Sequence, residues 1–339
     1  MLKSLDTKLA RITGGTATAR DFILADAKDA DMAFGLAAPG ARTPEGTGLK
    51  SLSDYRAQIR EIVAQGLVDI MLMSASTIEQ LSIQESLFAN SAVTPAARAN
   101  DTSDIWVLRG GVYPREKSRA FRSASLDHIM HGRLDVAPGT PHTGADLGLY
   151  SMTFANDLAT DHATLSAFSE FRLEAERKGF RYFLEVFNPN VETGIAPELV
   201  ADFVNDHIAR ALAGVTGRGR PVFLKIAYNG PKALEELAAY DSSLVVGVLG
   251  GGSGTTRDAF QLIHDAQKHG ARVALFGRKI NHSEHPLTFI SFLRRITDGE
   301  ISPVEAVKAY HDVLAKLGLD SKRTLDADLE LTDTALSYS

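Results

Sequence analysis

The sequence predicts an α/β protein folded as a single (β/α)₈ barrel, and three observations carry the prediction. First, from residue 31 onward, short apolar runs of about five residues alternate with longer segments of helical periodicity, the rhythm of βα units on a parallel sheet. Second, eight such runs can be counted: 32–37, 69–74, 94–99, 147–152, 182–187, 222–227, 244–249 and 272–277. Third, several of them, such as Leu244-Val245-Val246-Gly247-Val248-Leu249, are nearly continuous in apolar residues, as strands covered on both faces should be. Eight strands with helices between them point to a closed barrel rather than an open sheet.

The intervening helices have readable starts and stops. Ser53-Asp54 precedes a periodic run through Tyr55, Ile59 and Ile62 that stops near Gly66. Thr160-Asp161 leads into Leu165, Phe168 and Phe171, with Gly179 as the stop. Pro197 suits the first turn of a helix that Gly214 closes. Beyond residue 286 two helices are expected, at 287–297 and 303–317, separated by Asp298-Gly299. The whole of 1–339 reads as one domain, with an N-terminal segment at 1–30, an insertion or lid after strand three at 100–145, and a polar tail at 320–339 that packs on the barrel or on a partner subunit.

Composition narrows the function. With 44% hydrophobic and 23% charged residues the chain is of ordinary globular make-up, and a formal net charge of −6 offers no broad basic surface for a nucleic-acid backbone. The absence of cysteine removes disulfides, thiolate metal sites and a cysteine nucleophile. No secretory signal and no membrane-length apolar stretch is read, so a cytoplasmic location is expected.

In barrel enzymes the chemistry sits at the C-terminal ends of the strands. Lys225 interrupts Val222-Phe223-Leu224 and Ile226-Ala227, where its side chain points either into the barrel or into the helix layer. Both places are costly for an ammonium, and a desolvated amine is a nucleophile suited to Schiff-base chemistry. The competing reading is a packed stem whose head snorkels or pairs with an acid such as Glu185. Strand seven runs into Gly250-Gly251-Gly252-Ser253-Gly254, ahead of a helix starting near Arg257. Successive glycines let backbone amides approach an anion and the helix N-terminus adds its dipole, although a tight connection alone would also use glycine. Neither the third glycine of a dinucleotide fingerprint nor the lysine of a P-loop follows. Strand eight ends in Gly277-Arg278, and barrels commonly hold phosphate between the loops after strands seven and eight.

These pieces together resemble the class I aldolase superfamily that includes deoxyribose-phosphate aldolase, archaeal-type fructose-bisphosphate aldolase and the autoinducer-2 thiolase relatives. The strand-six lysine in FLKIAY, the turn GGGSGTT and the segment FGRKINHSEHP occur in the family's order, and the likeness covers roughly residues 180–297. It implies that Lys225 forms an imine with a phosphorylated sugar, and that Gly251, Gly252, Ser253, Gly277 and Arg278 hold the phosphate. It also implies an aspartate near the end of strand one, which the segment FGLAAPGAR does not supply, and the second lysine of the deoxyribose-phosphate enzymes is missing from strand seven. The proton-transfer group is therefore sought elsewhere. Glu185 on the neighbouring strand five can hold, orient or deprotonate a carbinolamine, or serve as a structural ion pair; Tyr228 can donate from its phenol or simply pack at the rim. Arg42 and Arg98 are candidates for substrate hydroxyls or a second anionic group, or are simply ion-paired.

The reaction expected is aldol cleavage or formation on a phosphorylated ketose or related sugar phosphate, with no cofactor and no metal. An isomerase or thiolase-like acyl transferase on the same scaffold, or a non-catalytic sugar-phosphate-binding protein, are the alternatives. A metal-dependent lyase would draw on His128-x-x-His131, His142, His162 or His282-x-x-His285, none of which falls at a strand end beside a carboxylate. No nucleic acid or membrane partner is expected, and homo-oligomerisation is left open.

Overall fold

The computed structural model describes residues 2–42, 46–137, 139–252 and 254–336. Eight parallel strands close into a barrel: β1 (Ile23–Lys28), β2 (Ile70–Met73), β3 (Thr94–Arg98), β4 (Leu147–Thr153), β5 (Arg181–Phe187), β6 (Leu224–Ile226), β7 (Gly247–Leu249) and β8 (Val273–Phe276), each paired with its sequence neighbour and β8 with β1. Seven of the eight expected runs contain a barrel strand. The first does not. Residues 31–37 form a helical turn, Asp31–Phe34, and a 3₁₀ turn, Gly35–Ala37, while β1 lies inside the segment set aside as an N-terminal extension.

The reason is chemical. β1 reads Ile-Leu-Ala-Asp-Ala-Lys, and two charges in six residues disguise a buried strand. Asp26 and Lys28 share its outer face, both fully buried, with Lys28 Nζ 3.5 Å from Asp26 Oδ2 and over the ring of Tyr55 from the facing helix Leu52–Gln65. Each charge is tolerated there through the other. Burial pushes the Asp26 carboxyl up to about 6 despite that partner.

Alternation along the strands sorts the remaining apolar residues into two cores. Ile23, Ala25, Ile70, Leu72, Leu147, Leu149, Phe183, Phe223, Val273 and Leu275 fill the barrel, with the Phe183 and Phe223 rings stacked at 4.6 Å. Their neighbours of opposite parity pack under the helices. The helix Ser4–Thr13 contributes Leu5 to the inner core, and Lys8 and Arg294 both pair with Asp69 at the start of β2. Helix ends fall within a few residues of the sequence signals: Ser51 caps Leu52–Gln65, Asp157 caps Leu158–Lys178, and Gly66 and Gly179 stop them in the left-handed conformation. The two C-terminal helices run Pro286–Thr297 and Pro303–Lys316. No helix among the described residues is long and apolar enough to cross a membrane.

The 100–145 insertion builds one wall of the barrel mouth. Asp101–Thr102 pairs antiparallel with Ala120–Phe121, Trp106 stacks on Tyr113 at 4.3 Å, and Val107 N–H donates to the carbonyl of Ala33 across the opening.

Candidate active site

A cavity of about 360 Å³ opens at the C-terminal face of the barrel, where Asp29, Arg98, Glu185 and Lys225 are among its lining residues. Strand register assembles its floor. Ser151 lies opposite Glu185 in the β4–β5 ladder, and Glu185 opposite Lys225 in the β5–β6 ladder. All three share the inward parity of Leu149, Phe183 and Phe223, so they form one row across adjacent strands.

Lys225, 7% exposed, places Nζ 2.5 Å from Glu185 Oε1. The other carboxylate oxygen, Oε2, accepts from Ser151 Oγ at 2.6 Å and lies 3.7 Å from Arg98 Nη2. Arg98 Nε donates to Asp29 Oδ2 at 2.6 Å and Nη1 to Ser151 Oγ at 3.1 Å. Burial opposes the guanidinium charge, but the carboxylates of Asp29 and Glu185 outweigh it and raise the Arg98 pKa. Two acids and two bases thus make a charge-balanced cluster. Asn100 secures it from outside: its amide accepts from Ser151 N–H at 2.7 Å and donates to Ser151 C=O at 2.9 Å, carrying the β3–β4 ladder past the last strand residue.

Asp29 was missed by the sequence reading, and its position corrects that reading. With β1 ending at Lys28, Asp29 stands immediately past the end of strand one and lines the cavity, so an aspartate is present where none was read. The signal was present in Ala-Asp-Ala-Lys-Asp, masked by its charges. Ser151 was also missed; inward parity within Leu-Gly-Leu-Tyr-Ser-Met would have found it. Two expected site residues go elsewhere. Tyr228 is buried with Leu224 and Ile226 in the layer beneath the helices, and Arg42 is an exposed side chain 3.8 Å from Asp54, outside the barrel mouth.

The loops after β7 and β8 form the cavity's other side, with Gly250, Gly251, Gly277 and Arg278 in the lining. Close packing explains the glycines. A Cβ on Gly250 would meet the Phe276 ring at 2.2 Å, and one on Gly252 the Arg278 guanidinium carbon at 2.3 Å; Gly251 has a φ of +60°. Arg278 lies with its guanidinium 5.9 Å from the Phe34 ring centroid and has no carboxylate partner among the described residues. Ser253, the remaining expected phosphate ligand, lies outside the described residues.

The helix that follows does not lend its first amides to an anion. Thr255 N–H is taken by Asp258, and Thr256 N–H by Asp328 from the C-terminal tail, both at 2.7 Å. Thr332 adds two bonds to Asp258, and Lys279 Nζ donates to the carbonyls of Gly254 and Thr255. The tail therefore braces the glycine-rich loop from behind. Among the described residues no three His, Asp or Glu side chains converge as metal ligands would. His285 instead caps the helix Pro286–Thr297 and pairs with Thr288, and the His128 ring pairs with Ser125, the N-cap of the helix Leu126–His131.

Comparison with solved structures shows the fold. An archaeal fructose 1,6-bisphosphate aldolase superposes with a TM-score of 0.60 at 15% identity, covering 87% of this chain and 99% of that one. The chain shares the closed-barrel fold of that structure. An archaeal fructose-1,6-bisphosphate aldolase with its catalytic lysine covalently bound to the carbinolamine intermediate matches at a TM-score of 0.59 and 15% identity, covering 87% of this chain and 100% of that chain. The fructose-bisphosphate aldolase of Slackia heliotrinireducens matches at 0.64 and 14% identity, covering 91% and 90%. No family model and no curated protein sequence matches the chain.

Proposed function

We propose that this chain is a class I aldolase-type carbon–carbon lyase that acts on a phosphorylated ketose or related sugar phosphate through an imine on Lys225. The observation that carries the reading is one buried amine at the cavity floor, held 2.5 Å from the carboxylate of Glu185 and facing a glycine-lined wall whose arginine has no carboxylate partner among the described residues.

In this reading Glu185 takes the proton from Lys225, and the free amine attacks the substrate carbonyl carbon to give a carbinolamine. Glu185 returns a proton to the departing hydroxyl, water leaves, and an iminium forms. Loss of a proton from the hydroxyl on the far carbon of the bond to be broken turns that carbon into an aldehyde, and the bonding electron pair flows into the iminium to leave an enamine. Protonation of the enamine and hydrolysis regenerate the lysine and a second carbonyl product. Asp29, fixed by Arg98 at the same cavity, is the second carboxylate within the site and our candidate for the hydroxyl proton. Gly251, Gly252, Gly277 and Arg278 are proposed to hold the phosphate through backbone amides and the guanidinium fork.

The test is chemical trapping. The protein is incubated with dihydroxyacetone phosphate or a ketose phosphate, reduced with borohydride and mapped by peptide mass spectrometry. A reduced adduct on Lys225 that requires substrate and disappears in Lys225→Met is expected. Folded protein that binds phosphate esters yet gives no adduct would favour the isomerase or non-catalytic alternatives.

A further inference from the structure

Building on the imine reading, we infer that the substrate carries a single phosphate, and that the arm on the far side of its carbonyl is uncharged and ends in apolar carbon. The charges lining the cavity decide this. Its cations among the described residues are Arg98, Lys225 and Arg278. The first two are matched one for one by Asp29 and Glu185, at 2.6 and 2.5 Å. Arg278 alone has no carboxylate partner, and it stands with Gly250, Gly251 and Gly277 on the β7–β8 side of the ring. One unpaired cation beside one glycine-rich loop suits one phosphate.

Across the barrel mouth, after β3 and at the end of β5, the lining is Asp104, Ile105, Val107 and Phe187. Asp104 is an acid already engaged by Thr153 Oγ1 at 2.6 Å and Ser118 Oγ at 2.8 Å. A phosphate dianion placed there would lose hydration, meet a carboxylate and gain no cation. An alkyl or aryl group would instead cover Ile105, Val107 and Phe187. The apolar surface continues outward: Leu108 Cδ2 lies 3.6 Å from where a Cβ on Gly35 would be, beside exposed Leu36. Apart from Phe187 on β5, the wall that recognises this arm belongs to the insertion after β3 and the turn after β1.

Three ketose phosphates of one stereochemistry separate the possibilities: fructose 1-phosphate, its 5,6-dideoxy analogue and fructose 1,6-bisphosphate. Each is titrated against the full chain, and the fraction of Lys225 reduced by borohydride is measured against the concentration of open-chain ketone, since the dideoxy analogue lacks the hydroxyls that close a ring. The dideoxy monophosphate is expected to half-saturate labelling at a concentration at least about tenfold below the bisphosphate, with fructose 1-phosphate between them. Val107→Arg, which adds a cation to the far wall, is expected to close that gap. Labelling by the bisphosphate at equal or lower concentration overturns the inference and leaves the imine reading standing. Absence of Lys225 labelling with all three removes the imine reading, and the inference with it.

Discussion

Arg98→Met tests whether the active-site charges hold one another in place. Methionine keeps much of the side-chain stem but removes the guanidinium that donates to Asp29 at 2.6 Å and to Ser151 at 3.1 Å. Glu185 retains Lys225 and Ser151, so the uncompensated group is Asp29, a residue 7% exposed. Breaking a buried ion pair from one side costs about 3–5 kcal/mol. We expect about 3 kcal/mol at pH 8, because only one of the two carboxylates is stranded and its edge still reaches the cavity. Urea unfolding at pH 8 measures the deficit. Arg98→Met combined with Asp29→Asn should recover about 2 kcal/mol of the loss, since the stranded charge is gone. A deficit below about 1 kcal/mol at pH 8, or no relief from the second substitution, refutes this view of the cluster.

Three further expectations concern separate parts of the molecule. Glu185→Gln keeps an acceptor for Ser151 but removes the proton acceptor beside Lys225, so the trapping rate in a single turnover should fall by about 10²–10⁴ while the fold persists; a rate within threefold of the parent would rule out proton transfer by Glu185. Gly252→Ala pushes a methyl into the mobile end of Arg278, whereas Gly277→Ala places one 2.7 Å from the backbone oxygen of Ala27. The first should weaken inorganic phosphate binding about tenfold at unchanged melting temperature, and the second should lower stability by about 1–3 kcal/mol; calorimetry with and without phosphate separates them. Lys28→Met strands Asp26, whose carboxyl already sits at about 6. The resulting loss should grow as pH rises from about 4 and exceed that of Asp26→Leu with Lys28→Met, which should be neutral or stabilising by about 1–4 kcal/mol in urea titrations at pH 8.

Local chemistry alone reached the closed barrel, seven of its strands, the helix stops at Gly66 and Gly179, a lysine buried in strand six and the glycine-rich loop after strand seven. Each of these is written in short-range pattern: apolar runs, capping residues, consecutive glycines. What failed depended on burial and on charge pairing that apolar pattern does not reveal. β1 escaped because Asp26 and Lys28 look like surface residues until each is seen to be the other's partner, and Asp29 was lost with it. Arg42 and Tyr228 were drawn to the site by their place after a strand, but a strand end fixes only which residue is near the mouth; the turn beyond it sends Arg42 to solvent and Tyr228 under the helices. The bracing of the glycine-rich loop by Asp328 and Thr332 joins residues more than seventy positions apart, a contact that composition and periodicity do not encode. The sequence by itself determined which residues are able to do the chemistry; tertiary structure decided which of them meet, because burial sets a cost on every unpaired charge and closure of the barrel dictates who is available to pair.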